Sequence, residues 1–249
     1  MKALITGASS GIGEEFARQL SSRGYEIIAV ARRLDRLLKL KDELSTEVTP
    51  IACDLSKPES CKELFEKVKN EDIEIVINNA GFGLLGNFVE NDLERELSML
   101  DVNCKALHIL TKLFLQKFSL ENRGYILNVC SIGGHLPGPL LSAYYASKAY
   151  VLSLTNGIYE EIRRSGKSVY VGTLCPGPVD TEFSSVANAR FSLKSRSAKE
   201  VVSYAIKKMF KRKLTILPGI EVKLTALAAR LAPVKLMLRI SYKVQHKKM

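Results

Sequence analysis

Short apolar runs rich in β-branched residues alternate along most of the chain with longer stretches of helical periodicity. The predicted strands are Lys2–Thr6, Glu26–Ala31, Thr49–Cys53, Ile73–Asn78, Tyr125–Val129, Ser168–Leu174 and Leu214–Leu217. Helices are predicted near residues 12–22, 35–45, 58–69, 92–118, 142–165 and 198–211. This alternation predicts an α/β fold with a doubly wound parallel sheet of about seven strands and helices on both faces.

Polar residues mark two of the predicted helix starts. Asp35 can cap the second helix, and Ser197 with Glu200 forms the pattern of a capping box before the sixth. No internal repeat, low-complexity linker or break in composition divides the chain. The sequence therefore predicts one domain over residues 1–220, followed by a C-terminal extension over residues 221–249.

Charge sets the extension apart from the rest of the chain. The 249 residues have a formal net charge of +11. Residues 207–249 carry all of it, with 12 Lys and Arg against the single acid Glu221. The neutral remainder argues against a nucleic-acid-binding surface on the body. Helical spacing continues in the extension through Val222, Leu224, Leu227, Ala228 and Leu231.

Pro233 can begin a second, amphipathic helix in the extension. Lys235, Arg239 and Lys243 fall four residues apart and form a basic stripe beside apolar residues. Such a helix can lie in the interface of an anionic membrane. Alternatively, its apolar side packs on the body or on a partner subunit while the cations stay solvated. A third interpretation is contact with an acidic carrier or coenzyme on the substrate. The pattern leaves all three open, so a peripheral membrane contact remains one of them.

The cysteines and the first residues bear on location. Five cysteines are scattered along the chain without a Cys-x-x-Cys pair: Cys53, Cys61, Cys104, Cys130 and Cys175. This odd number predicts free thiols in a reducing cytosol. Met1 leads directly into the first predicted strand, so we expect no signal peptide. No uncharged apolar run approaches the roughly 18 residues that suggest a membrane span, and we expect a cytoplasmic protein.

A glycine-rich turn joins the first predicted strand to the first helix. Gly7, Gly11 and Gly13 permit tight turning and close approach of the backbone to a pyrophosphate, which a helix N-terminus attracts. The same turn contains Ser9, Ser10 and Ile12. A plain turn could show similar glycines, but a dinucleotide binds at this edge of an open α/β sheet.

Two further segments follow predicted strands near the same edge. Asp54, followed by Leu55, comes after the third strand and could accept a hydrogen bond from an adenine amino group. A solvated or capping Asp54 is the alternative. Asn79, Ala80 and Gly81 follow the fourth strand, where the small side chains leave room for an adenosine ribose or form a simple turn.

The cofactor preference rests on the residues after the second strand. An NAD-selective protein places an acid about 20 residues beyond the glycines, on the ribose 2′-hydroxyl. This chain has Arg32 and Arg33 there, and two guanidinium groups can bind a 2′-phosphate. The sequence therefore predicts NADP(H), although two arginines at a strand end can also be ordinary surface residues.

The candidate reacting groups are Tyr144 and Lys148, one helical turn apart. A cation about 4 Å from a phenol contributes roughly 4 kcal/mol at an effective dielectric of about 20, enough to lower the tyrosine pKa from about 10 by about three units. Ser131 can donate a hydrogen bond to a carbonyl oxygen. Asn103, a polar break in an apolar helix, could hold a water in a proton relay. Tyr145 has no lysine four residues further on.

Each of these residues has a plain alternative role. Tyr144 and Lys148 could be a helix-surface pair, Ser131 a strand cap, and Asn103 a partner of the backbone. The histidines His108, His135 and His246 lack ligand-like spacing, so no metal site is expected. His135 lies in the segment Gly133–Leu141, and a hydrogen-bonded loop histidine is the interpretation we favour.

In combination, the motifs resemble the short-chain dehydrogenase/reductase family from residue 1 to about residue 217. The matching features are Thr6–Gly13, Asp54-Leu55, Asn78–Gly81, Asn103, Ser131, Tyr144–Lys148 and Pro176–Thr181. The resemblance implies a Rossmann-like fold and an Asn–Ser–Tyr–Lys tetrad. In that tetrad Tyr144 is the acid/base, and Lys148 lowers its pKa.

The resemblance also bears on the cofactor. It implies that Pro176 to Thr181 line the nicotinamide, with Pro176, Gly177, Val179 and Thr181 in contact with it. Tyr144 and Lys148 would also contact the cofactor. Ser10 stands where some NADP-preferring members carry a basic residue, so the predicted preference rests on the two arginines alone.

We therefore expect hydride transfer between NADPH and an apolar ketone or secondary alcohol. The predicted substrate walls, Phe82–Phe88, Gly133–Leu141 and Glu182–Arg196, are rich in Leu, Phe, Pro and Gly, and the third resembles a mobile lid. A 3-ketoacyl thioester is the alternative substrate class, and a non-catalytic NADP(H)-binding sensor or scaffold the alternative function. Small residues after Tyr144 predict a homodimer or homotetramer; they are Ala146, Ala149, Ser153 and Gly157.

Overall fold

The computed structural model describes residues 1–183 and 195–246. Seven of the described strands form a parallel sheet in the order β3-β2-β1-β4-β5-β6-β9. In chain order the strands are β1 (Lys2–Thr6), β2 (Glu26–Ala31), β3 (Val48–Ala52), β4 (Ile73–Asn78), β5 (Tyr125–Val129), β6 (Tyr170–Leu174), β7 (Val179–Asp180), β8 (Arg196–Ser197) and β9 (Thr215–Ile216). β7 and β8 pair separately. The predicted α/β fold is confirmed.

The helices follow the strands closely along the chain. They are α1 (Gly11–Ser21), α2 (Leu34–Glu43), α3 (Pro58–Val68), α4 (Leu93–Leu100), α5 (Leu107–Glu121), α6 (Ser142–Arg164), α7 (Ala198–Phe210), α8 (Ile220–Leu231) and α9 (Val234–His246). A π-helical turn, Asp101–Ala106, joins α4 to α5, and a 3₁₀ turn, Ile132–His135, precedes α6. The helix predicted near residues 92–118 is therefore present, but it contains a π-helical turn that the sequence did not predict.

Helices cover both faces of the sheet. On one face, Phe16 of α1, Leu37 of α2 and Val202 of α7 share a core with the inward side chains of the strands. On the other face, Leu64 of α3 and Phe114 of α5 belong to a second core. Strands that are buried on both sides need apolar residues at consecutive positions, which explains the uninterrupted apolar runs of the sequence.

The helix starts agree with the sequence in two of three cases. Ser197 Oγ accepts the Glu200 amide at 3.2 Å, so the cap of α7 is confirmed. Pro233 precedes α9, and its carbonyl accepts the amides of the following turn. Asp35 does not cap α2, because the helix begins one residue earlier with Arg33 at the cap position. Asp35 lies in the first turn, where its charge still suits the helix dipole.

The site is positioned by the reversal of strand order beside β1. β2 and β3 lie on one side of this strand, and β4, β5, β6 and β9 lie on the other. In an open α/β sheet, ligands bind in the crevice that this reversal leaves at the carboxyl ends of the strands. Thr6 fixes its geometry, because Thr6 Oγ1 accepts the amides of Asn79 and Ala80, both at 3.0 Å.

Candidate active site

The glycine-rich turn between β1 and α1 has no room for side chains at its predicted glycine positions. Gly7 and Gly11 have φ angles of +68° and +58°, a conformation that L residues rarely adopt. A Cβ at Gly13 would lie 2.2 Å from the Gly7 carbonyl oxygen. This compact backbone at the N-terminus of α1 therefore fits a pyrophosphate group.

The other predicted cofactor residues converge on this turn. Asn79 Nδ2 donates to the carbonyl oxygens of Thr6 at 3.0 Å and Gly7 at 3.2 Å. A Cβ on Gly11 would lie 2.8 Å from Thr181 Cγ2, so the segment after β7 reaches the turn. The ends of β1, β4 and β7 thus meet at one place, as the motifs predict.

Two predicted cofactor residues have side chains that pack into the cores of the sheet. Leu55 is buried in the second core, and Ile12 packs against the first. Ser10 precedes α1 without making a side-chain cap. Any contact of Leu55 or Ile12 with a cofactor would therefore involve mainly the backbone.

Asp54 lies near the predicted adenine site but already has partners. Its carboxylate accepts from the Ser56 amide at 3.1 Å and the Ser56 hydroxyl at 2.8 Å. Partial burial opposes ionisation, but the Ser56 hydrogen bonds and the nearby charge of Arg32 together lower the pKa of Asp54. The carboxylate is therefore ionised at neutral pH and can still accept a further hydrogen bond.

Of the two arginines after β2, Arg33 belongs to an ion-pair cluster that the sequence analysis missed. Arg33 Nη2 lies 3.2 Å from Ser9 Oγ and 3.0 Å from the Glu182 carboxylate. Arg36, one turn further along α2, pairs with the same carboxylate. Arg36 and then Arg33 lower the pKa of Glu182. The spacing of the two arginines on one helix face was a usable signal, whereas nothing local indicated Glu182.

The four candidate reacting residues come together near Gly81. Tyr144 and Lys148 are buried on α6, and Ser131 lies close enough to the Tyr144 hydroxyl to affect its pKa. A Cβ at Gly81 would lie 2.7 Å from Asn103 Oδ1 and 3.4 Å from Lys148 Nζ. The absence of a side chain at Gly81 therefore lets these residues share one small volume at the carboxyl edge of the sheet.

Burial dominates the protonation of Tyr144 in this arrangement. Desolvation raises the pKa of Tyr144, and the neighbouring Ser131 side chain only partly opposes it. Lys148 Nζ donates to the Val129 carbonyl at 3.0 Å and lies 5.8 Å from the centre of the Tyr144 ring. Burial also lowers the pKa of Lys148. The lowering of the tyrosine pKa by Lys148 stays a prediction for the complex with cofactor.

Asn103 lies in the π-helical turn between α4 and α5. Its Oδ1 accepts the Phe82 amide at 3.1 Å, and its Nδ2 donates to the Phe82 carbonyl at 2.9 Å and to Ser147 Oγ at 3.0 Å. The side chain therefore fastens the loop after β4 to α6. A π-helical turn within a helix often marks a functional site, and the water-holding role of Asn103 stays a prediction.

The segment that was predicted to line the nicotinamide contacts both the Ser131 turn and the C-terminal extension. The Ile132 amide donates to the Pro176 carbonyl at 2.9 Å. A Cβ at Gly177 would lie 3.1 Å from Val222 Cγ2 of α8. Val179 is buried in β7. The extension therefore reaches the site, which the sequence analysis did not predict.

The loop before α6 differs from expectation at His135. Its Nε2 is buried without a hydrogen-bond partner among the described residues, whereas a hydrogen-bonded histidine was expected. Burial, with the charge of Arg230, lowers its pKa. Tyr145, which follows Tyr144 on α6, is buried, and its hydroxyl accepts a hydrogen bond from Gln245 of α9. Within residues 1–183 and 195–246, no group of three or more His, Cys, Asp or Glu could hold a metal.

Comparison with known proteins decides the family. The family model described as short chain dehydrogenase matches residues 1–190. The chain belongs to the short-chain dehydrogenase family. It is therefore an oxidoreductase of this family, with a fold suited to a nicotinamide dinucleotide cofactor.

Individual short-chain dehydrogenases support the assignment. The chain is 35% identical over 190 residues to the NADP-dependent 3-hydroxy acid dehydrogenase YdfG of Salmonella typhi, covering 75% of this chain and 76% of the relative. A short-chain dehydrogenase from Sphingobium yanoikuyae, solved in complex with NADPH, is 31% identical with a TM-score of 0.83, covering 92% of each chain. A bulky-bulky ketone specific alcohol dehydrogenase from Comamonas testosteroni is 29% identical with a TM-score of 0.79, covering 92% of this chain and 91% of that one.

Proposed function

We propose that the protein is an NADPH-dependent reductase that interconverts an apolar ketone and its secondary alcohol. The observation that carries this proposal is that Asn103 and Lys148 meet at Gly81, with Tyr144 beside Lys148 and Ser131 beside Tyr144. A glycine turn that fits a pyrophosphate begins α1 at the same edge of the sheet. A cofactor-binding scaffold would not require these four side chains to meet. The arrangement therefore favours an enzyme over a non-catalytic sensor.

Each residue of the proposed tetrad has a separate task. The nicotinamide supplies the hydride when it is bound. Ser131 donates a hydrogen bond to the substrate carbonyl oxygen, and the neutral Tyr144 hydroxyl transfers its proton to that oxygen. Lys148, an ammonium in a buried position, holds the ribose and stabilises the phenolate that remains. Asn103 holds the loop after β4 in place and completes the proton path.

Two features support NADP(H) over NAD(H). No carboxylate stands immediately after β2, where Arg32 and Arg33 follow Ala31. Arg33 already contacts Ser9 in the glycine turn, so it can reach a phosphate on the adenosine ribose. The Salmonella relative is named as NADP-dependent and the Sphingobium structure contains NADPH, which agrees with this preference.

The surroundings of Tyr144 support an apolar substrate. Tyr144 belongs to a buried cluster with Met99, Leu141 and Tyr145, against which Phe82 and other apolar residues pack. The Comamonas structure is named for bulky ketones and the Salmonella relative for 3-hydroxy acids, so both substrate classes need testing. Most of the predicted third wall, Glu182–Arg196, lies outside the described residues.

NADPH oxidation by the purified protein tests the proposal directly. The panel should contain bulky apolar ketones, steroids, small diketones, 3-oxo acids and 3-ketoacyl thioesters, each with wild type and with Tyr144→Phe. We expect turnover of apolar ketones that the variant loses while it retains NADPH binding. NADPH binding without turnover of any of these carbonyls would support the sensor or scaffold instead, and thioester turnover alone would identify the alternative substrate class.

We propose a homodimer or homotetramer built on α6. The small residues that predicted this interface are all exposed in the single chain, and a Cβ on Gly157 would meet open space. A second copy could therefore pack closely against this helix. Light scattering at micromolar concentration should give a multiple of the 27.6 kDa chain mass, and a monomer would contradict the proposal.

We also propose that the C-terminal extension contacts an anionic membrane surface. On α8, Val222 and Ala226 face the body, whereas Ile220, Leu224, Leu227 and Leu231 are 72%, 60%, 54% and 77% exposed. The apolar residues of α8 therefore lie on two sides of the helix, one against the body and one exposed. The basic residues that predicted a stripe on α9 are exposed as well. A like-charged second copy would meet electrostatic repulsion on this surface, whereas anionic lipid contributes about 1 kcal/mol per cation.

Co-sedimentation with vesicles tests this contact. We expect the full chain to bind vesicles with phosphatidylglycerol at low salt, and to bind pure phosphatidylcholine vesicles much less. Leu224→Asp with Leu231→Asp should weaken binding, whereas Leu120→Asp, at an exposed leucine of α5, should not. Full-length protein that stays in the supernatant with anionic vesicles at low salt would rule the contact out. No helix of the described ranges is long and apolar enough to cross a bilayer, and a cytoplasmic location stays a prediction.

A further inference from the structure

Tyr145 lies against the backbone of the loop that links β5 to α6. A Cβ on Gly138 would lie 2.3 Å from Tyr145 Cγ, and a Cβ on Gly133 would lie 3.4 Å from its ring carbons. A side chain at either position would contact the ring, and at Gly138 it would overlap with it. The Tyr145 ring also meets the Tyr144 ring edge-on, with centroids 6.0 Å apart at 73°. Tyr145 therefore occupies the space between the loop and the proposed acid/base.

The same loop orients Ser131. The Gly133 amide donates to Ser131 Oγ at 3.0 Å, which defines the start of the 3₁₀ turn Ile132–His135. Gly133 thus contacts the Ser131 hydroxyl through its amide, and a Cβ at this position would be in van der Waals range of the Tyr145 ring. A shift of Tyr145 would release Gly133, and with it the direction of the Ser131 hydroxyl.

The C-terminal helix holds Tyr145 from the other side. Gln245 is 2% exposed and its Nε2 donates to the Tyr145 hydroxyl, across 100 positions of sequence. Ser241, one turn earlier, is the only other buried residue of α9 among those described. Most apolar side chains of this helix, among them Leu236 and Ile240, remain exposed. Much of the attachment of α9 to the body therefore rests on a polar contact at Tyr145.

We propose that Tyr145 and Gln245 are positioning residues, which hold the Ser131 loop in its catalytic geometry through the Tyr145 ring. The inference rests on the proposed reductase function and adds a role for the extension in it. Burying a polar side chain costs free energy unless it is hydrogen-bonded. The contact therefore favours the position of α9 in which Gln245 reaches the Tyr145 hydroxyl. Small errors in placing a catalytic group are expensive in rate.

Variant kinetics test the coupling to Ser131. Tyr145→Phe removes only the hydroxyl, and Gln245→Leu removes the amide at similar volume. We expect each to lower kcat about fivefold, as for loss of one hydrogen bond, with the KM for NADPH within about twofold. The double variant should be no worse than either single variant. In a Ser131→Ala background, Tyr145→Phe should have no further effect, whereas general destabilisation would add to the defect.

Tyr242→Phe is the matched control, because it removes an exposed phenol hydroxyl from the same helix. It should behave as wild type. Additive defects in the double variant, or an undiminished Tyr145→Phe effect in the Ser131→Ala background, would overturn the positioning role. So would wild-type kinetics of both single variants.

Hydrogen exchange separates this inference from the proposed function. Gln245→Leu should speed amide exchange in residues 132–141, and Tyr242→Phe should not. Faster exchange in a protein that reduces no carbonyl of the panel would support the loop contact but refute the proposed reductase function. An active enzyme whose loop exchange and kinetics ignore Gln245→Leu would retain the reductase and refute the positioning role.

Discussion

Replacement of Arg33 by alanine should weaken NADPH binding while leaving NADH binding almost unchanged. Arg33 is placed between Ser9 of the glycine turn and the carboxylate of Glu182. A ribose 2′-phosphate bound beside Ser9 would compete with that carboxylate for the same guanidinium group. NADH has only a hydroxyl at this position, so its binding does not depend on the cation.

The magnitude follows from the exchange of one partner for another. The Arg33 side chain is 44% exposed and that of Glu182 is 40% exposed, and an exposed pair of this kind contributes about 0–1 kcal/mol. Charge-assisted hydrogen bonds to phosphate contribute about 1.5–3 kcal/mol. The difference between the midpoints of these ranges is about 1.8 kcal/mol, which corresponds to about a twentyfold loss of NADPH affinity in Arg33→Ala. The loss should shrink at high salt, because the contact is exposed.

The assay is a fluorescence titration that gives the dissociation constant of each cofactor at low and at high salt. Glu182→Gln supplies a change of opposite sign, since it frees Arg33 without removing the cation, and NADPH should bind more tightly. Arg23→Ala is the charge-matched control, at an exposed arginine that bonds only a backbone carbonyl among the described contacts. Equal losses for NADH and NADPH in Arg33→Ala would refute the reasoning.

Three further outcomes are expected. Arg32→Asp should shift the ratio of kcat/KM toward NADH, because a carboxylate repels the 2′-phosphate and accepts from the ribose hydroxyl; an unchanged ratio would place selectivity elsewhere. Tyr144→Phe should lower kcat at least about 100-fold, the usual contribution of a general acid, with NADPH affinity retained by titration. Burial raises the pKa of Tyr25 to about 12 and also raises that of Tyr170. Both phenols lose their protons at higher pH in the folded protein than in the unfolded chain, so their contribution to folding stability is complete below about pH 10 and is lost as the pH rises through the folded pKa. The urea concentration at the midpoint of unfolding should therefore fall as the pH is raised above about 10.

Much of the site could be predicted because its parts are local. Each motif can be recognised within a few consecutive residues. The motifs are a glycine turn after the first strand, two arginines after the second strand, and a tyrosine one helical turn from a lysine. The α/β alternation then places strand ends on one edge of a sheet, which brings distant motifs together. Gly81 shows the limit of this logic, because only the structure reveals that Asn103 and Lys148 both crowd it.

What the sequence could not predict depends on contacts between distant segments. Gln245 lies 100 positions from Tyr145, and no periodicity in α9 distinguishes this glutamine from a solvated one. Glu182 pairs with Arg33 across 149 positions. The sequence showed a polar residue, Asn103, inside an apolar helix, but it did not predict the π-helical turn at this position. The Asn103 side chain is hydrogen-bonded to the loop at Phe82, which is distant in sequence.

The protonation of Tyr144 connects these contacts to the direction of the chemistry. Burial raises the pKa of its phenol, so the hydroxyl carries its proton at neutral pH. A neutral phenol beside Ser131 is ready to give a proton to a carbonyl oxygen, whereas oxidation of an alcohol needs the phenolate first. The apolar surroundings that raise this pKa include Tyr145, whose hydroxyl accepts a hydrogen bond from Gln245. Under the positioning role proposed above, the C-terminal extension would help to maintain the dry environment that keeps the proposed acid protonated and suited to carbonyl reduction.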